Sequence, residues 1–256
     1  MRALGYAYLA AILAFLYVPI AIMMAMAFNA SPLYELPFRF DLVWFTSLMH
    51  NERLLTAGWN SVWIACLTAV IATTLGTLAA LGLARHEFTG KRFLQLMLFP
   101  PVTIPWLIIG TAMLIFFFWT GVGRGLHAIL LGHVALSIPY VIVVVGARLA
   151  AHGPELEEAA ASLGATPAQA FLRVTMPILA PGIVAAAMFA FAVSFDQFVI
   201  SYFLAAPGTA TLPVEIFTAI RKGFTPEINA ISTIVIIASM SLMLLVARFY
   251  RFGGER

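Results

Sequence analysis

Asp196 is the one acidic residue that lies well inside an apolar stretch, within the string Ser194-Phe195-Asp196-Gln197-Phe198. A carboxylate inside a membrane is costly, and by default it marks a functional position. The alternative is a structural role, in which Asp196 pairs with a neighbouring helix or with another subunit. Asp196 and its polar neighbours Ser194 and Gln197 are therefore the first candidates for contact with a solute.

The residues around Asp196 divide between two faces if the stretch is one helix. Ser194, Gln197 and Ser201 then share a face, whereas Asp196 points nearly the opposite way. A helix that starts near Leu179 places Asp196 ~25 Å along its axis, toward the outer side of the membrane. One face is predicted to line a path and the other to pack, and both assignments stay open.

Trp106 is the next candidate, because it follows a predicted break at Pro100-Pro101 and Pro105. Prolines free backbone carbonyl groups, which is tolerable inside a membrane only where protein or a cavity satisfies them. An indole ring beside such a break offers a cation–π contact to an amine. Packing in the core or against lipid is the alternative.

An inner segment, about 148–178, is less apolar than its flanks and holds three of the chain's eleven acids. Its glutamates suit a helix N-terminus, where acids complement the dipole. Gly164 predicts the end of a first short helix. Thr166 followed by Pro167 predicts the start of a second. Because helices that lie on membranes are usually rich in Lys and Arg, these glutamates favour docking on a basic protein partner.

The elements that position these residues are six apolar stretches. The chain has 256 residues, of which 62% are hydrophobic and 10% charged, and each stretch reaches the ~20 residues that cross a membrane as a helix. The first exceeds the length of a signal-peptide core and is predicted to be retained. We expect one all-α transmembrane domain, 1–256. The stretches are Gly5–Phe28, Trp59–Ala84, Phe93–Trp119, Ala128–Ala147, Leu179–Leu204 and Ile228–Phe249.

Lys and Arg in the connections predict the orientation of the chain. With the N-terminus inside, the inner segments hold nine of these residues and the outer segments five. Both termini are therefore expected to be cytoplasmic, in a multi-pass protein that contacts membrane lipid. The basic residues form no patch or stripe, so no nucleic-acid partner is expected.

Signatures of catalysis and cofactor binding do not occur in the sequence. Gly90-Lys91 lacks the upstream glycine and the following Ser or Thr of a phosphate-binding loop. There is no His-Glu-x-x-His string and no Gly-x-Ser-x-Gly elbow. The lone His127 and His133 predict packing or helix pairing rather than a metal site. No catalytic residue, metal or cofactor is therefore expected in this chain.

The inner segment carries a family resemblance. Glu158-Ala159-Ala160, then Gly164, then Val174-Thr175-Met176-Pro177 resembles the EAA loop of ABC-importer permeases at the family spacing. Val174 and Met176 replace the usual Ile and Leu. In that family the loop docks on a cytoplasmic ATPase, so the resemblance implies this role for Glu158, Ala159, Ala160, Gly164 and Pro177. We call residues 148–178 the coupling segment.

The resemblance extends over most of the chain, to the second permease of spermidine/putrescine-type importers. It is carried by Leu16–Ile20 with Phe28–Ser31, and by Arg85–Lys91, Leu212–Phe217 and Gly223–Ala230. It implies a type I ABC-importer permease fold with six transmembrane helices in the bacterial cytoplasmic membrane. It also implies a second permease subunit, ATPase subunits that hold ATP and Mg²⁺ and dock on 155–171, and an extracytoplasmic binding protein.

The substrate implied by the resemblance is a polyamine or another small organic amine. Such permeases often carry a further acid beside Asp196, where this chain has Gln197, and they can carry an acid near Trp106. A permease for another small organic solute therefore stays open. A stand-alone secondary transporter is disfavoured, because the chain shows no inverted repeat and essentially one intramembrane charge.

Overall fold

The computed structural model describes residues 2–32, 35–98, 100–151, 153, 155–223 and 226–253. Within these ranges the chain is helical, and the only strand-like pairing is an isolated bridge between Asn29 and Phe40. The all-α prediction is confirmed. The helices are α1 (Arg2–Met26), α2 (Val43–His50), α3 (Glu52–Arg85), α4 (Lys91–Met97), α5 (Pro100–Thr103), α6 (Trp106–Trp119), α7 (Leu126–Ala150), α8 (Glu155–Ser162), α9 (Pro167–Ala170), α10 (Met176–Phe195), α11 (Val199–Leu204), α12 (Leu212–Lys222) and α13 (Glu227–Gly253), with a π-helical turn at Phe171–Thr175 between α9 and α10.

Among the residues that the structure describes, four helical segments are long and apolar enough to cross a membrane: Leu4–Met26, Glu52–Arg85, Leu126–Ala150 and Pro167–Phe195. Trp106–Trp119 and Glu227–Ser241 are shorter apolar helices within the described residues. These six segments correspond in order to the six predicted stretches. The chain is therefore a polytopic membrane protein whose spanning elements are helices.

The third stretch contains the break that its prolines predict. It divides into α4, α5 and α6, because proline donates no backbone hydrogen bond and disfavours a helical conformation in the residue before it. Pro105 is extended, with φ −54° and ψ 130°, and α6 begins at Trp106. Trp106 thus lies at the first turn of a new helix.

The prediction of one continuous helix over the fifth stretch, Leu179–Leu204, is wrong. The helix ends at Phe195, and α11 begins only at Val199. The side chain of Gln197 stabilises the restart, because its Oε1 accepts hydrogen bonds from the backbone N–H groups of Val199 and Ile200 at 3.2 and 3.5 Å. A polar side chain that serves the backbone in this way competes with a regular helix.

The chain divides into two compact units, Met1–Leu55 with Ile216–Arg256, and Thr56–Glu215. In the first unit, α1 and α2 both pack on α13. In the second, α7 packs along α10, and glycines bring the helices close together. A Cβ at Gly76 would lie 2.6 Å from Val141, and one at Gly132 would lie 2.9 Å from Ile200. That the whole chain acts as one domain stays a prediction.

Candidate functional site

The first half of the coupling segment is a helix with a well-defined end. Gly164 has φ +86°, which L-residues with a Cβ adopt only with strain. Its N–H donates to the carbonyl of Ala161 at 2.9 Å, and the N–H of Ala165 donates to the carbonyl of Ala160 at 3.0 Å. This pair of bonds is a Schellman motif. The predicted role of Gly164 at the end of α8 is confirmed.

The second half begins with the predicted cap. Thr166 Oγ1 accepts from the N–H of Gln169 at 3.3 Å, and Gln169 Oε1 accepts from the N–H of Thr166 at 3.0 Å. These two bonds form a capping box, with Pro167 in the first turn. Both helix signals in this part of the sequence therefore act as predicted.

The helix after Thr166 does not stop before the membrane. It runs from Pro167 through the π-helical turn into α10, as one apolar segment that ends at Phe195. Pro177 and Pro181 do not end this helix. The wider π-turn just before Pro177 relieves the crowding that a proline ring causes with the carbonyl four residues earlier, and Pro181 lies inside the helix.

The outward surface of the coupling segment combines charge with apolar area. Glu155, Glu158 and Ala159 are exposed, and the side chain of Leu163 is 90% exposed beside the turn at Gly164. Ala160 is half-buried and Pro177 is exposed. An exposed leucine and exposed carboxylates on one short segment are suited to a partner surface that has an apolar groove and basic side chains.

Asp196 lies at the C-terminal end of α10, and its side chain is exposed. Ser194 and Gln197 are instead 4% and 1% exposed. The structure therefore assigns the Ser194 face to packing within this chain and the Asp196 face to the surface. A role for Ser194 and Gln197 in a substrate path stays a prediction, and the side-chain oxygen of Gln197 is already engaged by the start of α11.

His133 holds the break between α10 and α11 from the facing helix α7. Its Nδ1 is 2.8 Å from Ser194 Oγ before the break, and its Nε2 is 3.0 Å from Ser201 Oγ after it. The ring thus pairs the helices, as predicted, and no group of three or more His, Cys, Asp or Glu side chains in the described residues is placed to hold a metal. The periodicity of the sequence does not predict that His133 contacts these two serines, because they lie on other helical segments.

Trp106 begins α6 and is 37% exposed. One turn later, Gly110 lets α6 approach α11, since a Cβ there would lie 2.8 Å from the ring of Phe203. No hydrogen bond, ion pair or ring contact joins Trp106 to Asp196 among the described side chains. Both candidate side chains are exposed.

A family model described as a binding-protein-dependent transport system inner membrane component matches residues 72–254, which include the coupling segment, Trp106 and Asp196. The chain belongs to this family. It is a permease subunit of an ABC importer, as its coupling segment predicts.

Two relatives of this permease come from Escherichia coli (strain K12). The spermidine/putrescine transport system permease protein PotC is 32% identical over 250 residues, which cover 96% of this chain and 95% of PotC. The putrescine transport system permease protein PotI is 35% identical over 230 residues, which cover 87% of this chain and 82% of PotI. The resemblance to the polyamine-type permeases is therefore confirmed.

A solved structure confirms the type I permease fold. A chain from a bacterial ABC transporter involved in the import of the acidic polysaccharide alginate superposes with a TM-score of 0.72. The match covers 97% of this permease and 96% of that chain at 16% identity. Identity this low relates the folds alone.

The permease also contains a cleft of about 1390 Å³ within the unit Thr56–Glu215. The end of α3 and the start of α4 line it with Arg85, Lys91 and Arg92, and α7 and α10 contribute Tyr140 and Phe189. Most of the remaining lining is aliphatic. The cleft thus has basic groups near the coupling segment and apolar walls farther along the helices.

Proposed function

We propose that this permease forms one half of the translocation path of an ATP-driven importer for a polyamine or another small organic amine. A second permease subunit completes the path, and an extracytoplasmic binding protein delivers the substrate. Two ATPase subunits hold ATP and Mg²⁺ and dock on the coupling segments, so the permease itself is not an enzyme. It lies in the bacterial cytoplasmic membrane with both termini in the cytoplasm.

The observation that carries this proposal is the doubly capped coupling segment. Gly164 and Thr166 fix its two halves, and Glu158 and Leu163 stay exposed for a partner. From Pro167 to Phe195 the helix then continues for 29 residues, or about 43 Å at the usual rise. A displacement of the coupling segment by the ATPase therefore moves one continuous rod, and Asp196 lies at its far end.

Asp196 supports an amine as the substrate. An exposed carboxylate at the end of a membrane helix needs a compensating charge or water, and a cationic solute in an aqueous path supplies the charge. PotC and PotI, which match most of this chain, are named for spermidine and putrescine transport. Gln197 supports the alternative of another organic solute, because it caps α11 where polyamine permeases often place a second acid.

The test is uptake by the importer assembled with its ATPase, second permease and binding protein. We expect saturable uptake of putrescine or spermidine that requires ATP, and no uptake of an uncharged sugar. A monoamine, whose charge lies between that of the polyamines and that of the sugar, tests how strongly uptake depends on the charge of the substrate. Uptake of the sugar with no amine uptake would support the alternative, and uptake by this chain without any ATPase would contradict the importer assignment.

Cysteine labelling tests the orientation separately. Cys66 is exposed, so it is first replaced by serine. Single cysteines at Thr89 and Ala168 are expected to react with an impermeant reagent only from the cytoplasmic side, and cysteines at Pro37 and Thr209 only from the outside. Reaction of the Ala168 position from outside would contradict this topology.

A further inference from the structure

Arg85, the last residue of α3, extends to the coupling segment and contacts it at three points. Its Nη2 forms an ion pair with Glu157 of α8 and donates to Thr175 Oγ1 at 3.3 Å. Its guanidinium carbon lies 5.5 Å from the centroid of the Phe171 ring. One side chain therefore joins the end of a membrane helix to both halves of the coupling segment.

The residues that Arg85 contacts also contact each other. Thr175 Oγ1 also donates to Glu157 Oε1, so Arg85, Glu157 and Thr175 form a ring of polar contacts. Thr175 is buried in the π-helical turn, and the Arg85 and Glu157 side chains are each 35% exposed. A single exposed ion pair contributes little to stability. This one shares its groups with a buried hydroxyl and an aromatic ring, so its geometry is more strongly fixed.

These contacts distinguish Glu157 from the other two glutamates of α8. Glu157 is half-buried and engaged inside the chain, whereas Glu155 and Glu158 are exposed. Glu158 is therefore available to a partner while Glu157 is not. A planar guanidinium can bond a carboxylate and a hydroxyl and also stack on a ring, which a lysine ammonium does less well.

We infer that Arg85 is a positioning residue that fixes the coupling segment to α3, so that the two move together when the ATPase displaces the segment. This inference rests on the proposed docking of an ATPase. Without Arg85, the coupling segment can still dock through its outward surface. Its movement then reaches α10 through the helix but reaches α3 only indirectly, through the packing of α7, and ATP hydrolysis is poorly converted into transport.

Spin-label distances in the assembled importer test the joint movement directly. Labels at Leu78 on α3 and Glu155 on α8, both exposed, are placed in a Cys66→Ser background. With Arg85 present, we expect one narrow distance that is the same without nucleotide and with ATP trapped. In Arg85→Gln we expect the distance to broaden or shift when ATP binds. Arg92→Gln is the matched control, because Arg92 is exposed and lines the same cleft.

Transport supplies the second readout. Arg85→Gln is expected to keep ATPase association and basal hydrolysis but to lower uptake per ATP about tenfold, and Arg85→Lys is expected to restore only part of it. The exchange Arg85→Glu with Glu157→Arg should recover more than either single change. Unchanged distances and unchanged uptake per ATP in Arg85→Gln would overturn the inference, as would loss of ATPase association that the exchange does not rescue.

Failure of the underlying proposal has a different signature. If no ATPase associates with the wild-type permease, the docking assignment itself is wrong. The distance comparison uses ATP and needs no knowledge of the transported solute. The distance comparison therefore remains a valid test of the role of Arg85 even if the substrate is not an amine.

Discussion

The coupling segment and the break after Phe195 are both interruptions between helices, but different forces hold them. At the coupling segment, Gly164 and Thr166 satisfy the helix ends within a few residues of themselves. At the break, the ring of His133 bonds serines on both sides from a helix more than 60 positions earlier. The first interruption is encoded locally. The second combines a local contact, from Gln197 to the start of α11, with the packing of α7 against α10.

This difference predicts how each region responds to substitution. Around Gly164 there is open space, since a Cβ there would meet no atom within 4 Å. Its sensitivity within the chain is therefore conformational. His133 is 2% exposed and enclosed, so its sensitivity is a matter of packing and unsatisfied polar groups.

The largest effect is expected at Gly164. Gly164→Leu forces a side chain into the left-handed region at a cost of about 1–2 kcal/mol, and it also places a bulky group on the docking surface. We expect ATPase association and uptake to fall below detection while membrane insertion stays normal, measured by co-purification and transport.

Asparagine separates the two causes at Gly164, because it tolerates the left-handed conformation better than other residues. Gly164→Asn should retain more association than Gly164→Leu. Equal loss in both variants would place the effect in the docking surface rather than in the backbone. Full uptake by Gly164→Leu would contradict the coupling role of the segment.

Asp196→Asn is expected to have the next largest effect. The change keeps size and hydrogen-bonding capacity but removes the charge that a cationic substrate meets. We predict at least a tenfold loss of uptake per assembled importer, with normal assembly and normal ATPase association. A lower yield of assembled importer with unchanged uptake per complex would show that Asp196 pairs within the complex instead.

Loss of His133 should act on stability rather than on chemistry. His133→Leu leaves Ser194 and Ser201 without their shared partner, and hydrogen bonds between membrane helices are each worth on the order of 0.6–1.7 kcal/mol. We expect a lower melting temperature in detergent, with a smaller loss of uptake per complex than Asp196→Asn causes.

Thr111→Val is the matched control for His133. Thr111 Oγ1 bonds the carbonyl of Leu107 in its own helix and is exposed, so this change should leave the melting temperature nearly unchanged. An unchanged melting temperature in His133→Leu would show that the break holds without the ring.

The same difference explains what the sequence could predict. The helix end at Gly164 and the helix start at Thr166-Pro167 can be predicted, because the sequence signal for each spans only a few residues. The sequence does not predict the break after Phe195, because apolar residues flank Asp196-Gln197 on both sides and neither Gly nor Pro marks it. Its determinants are Gln197, whose side chain accepts hydrogen bonds from the backbone of α11, and His133 on α7. Periodicity carries no information about a partner as distant in sequence as His133. Likewise, no local pattern connects Arg85 with Glu157.

Trp106 is expected to give the smallest effect. Its ring is partly exposed at the start of α6, where it can face a cation in the path or pack against a partner. Trp106→Phe keeps a weaker aromatic face, and Trp106→Ala removes it. If the ring meets an amine, the uptake affinity should weaken about threefold in Trp106→Phe and by tenfold or more in Trp106→Ala, with unchanged assembly. Trp119, which is also exposed and ends the same helix, supplies the control Trp119→Ala. A packing role predicts instead that Trp106→Ala lowers the melting temperature and leaves the affinity for the amine unchanged. That outcome would leave Asp196 as the candidate that contacts the substrate.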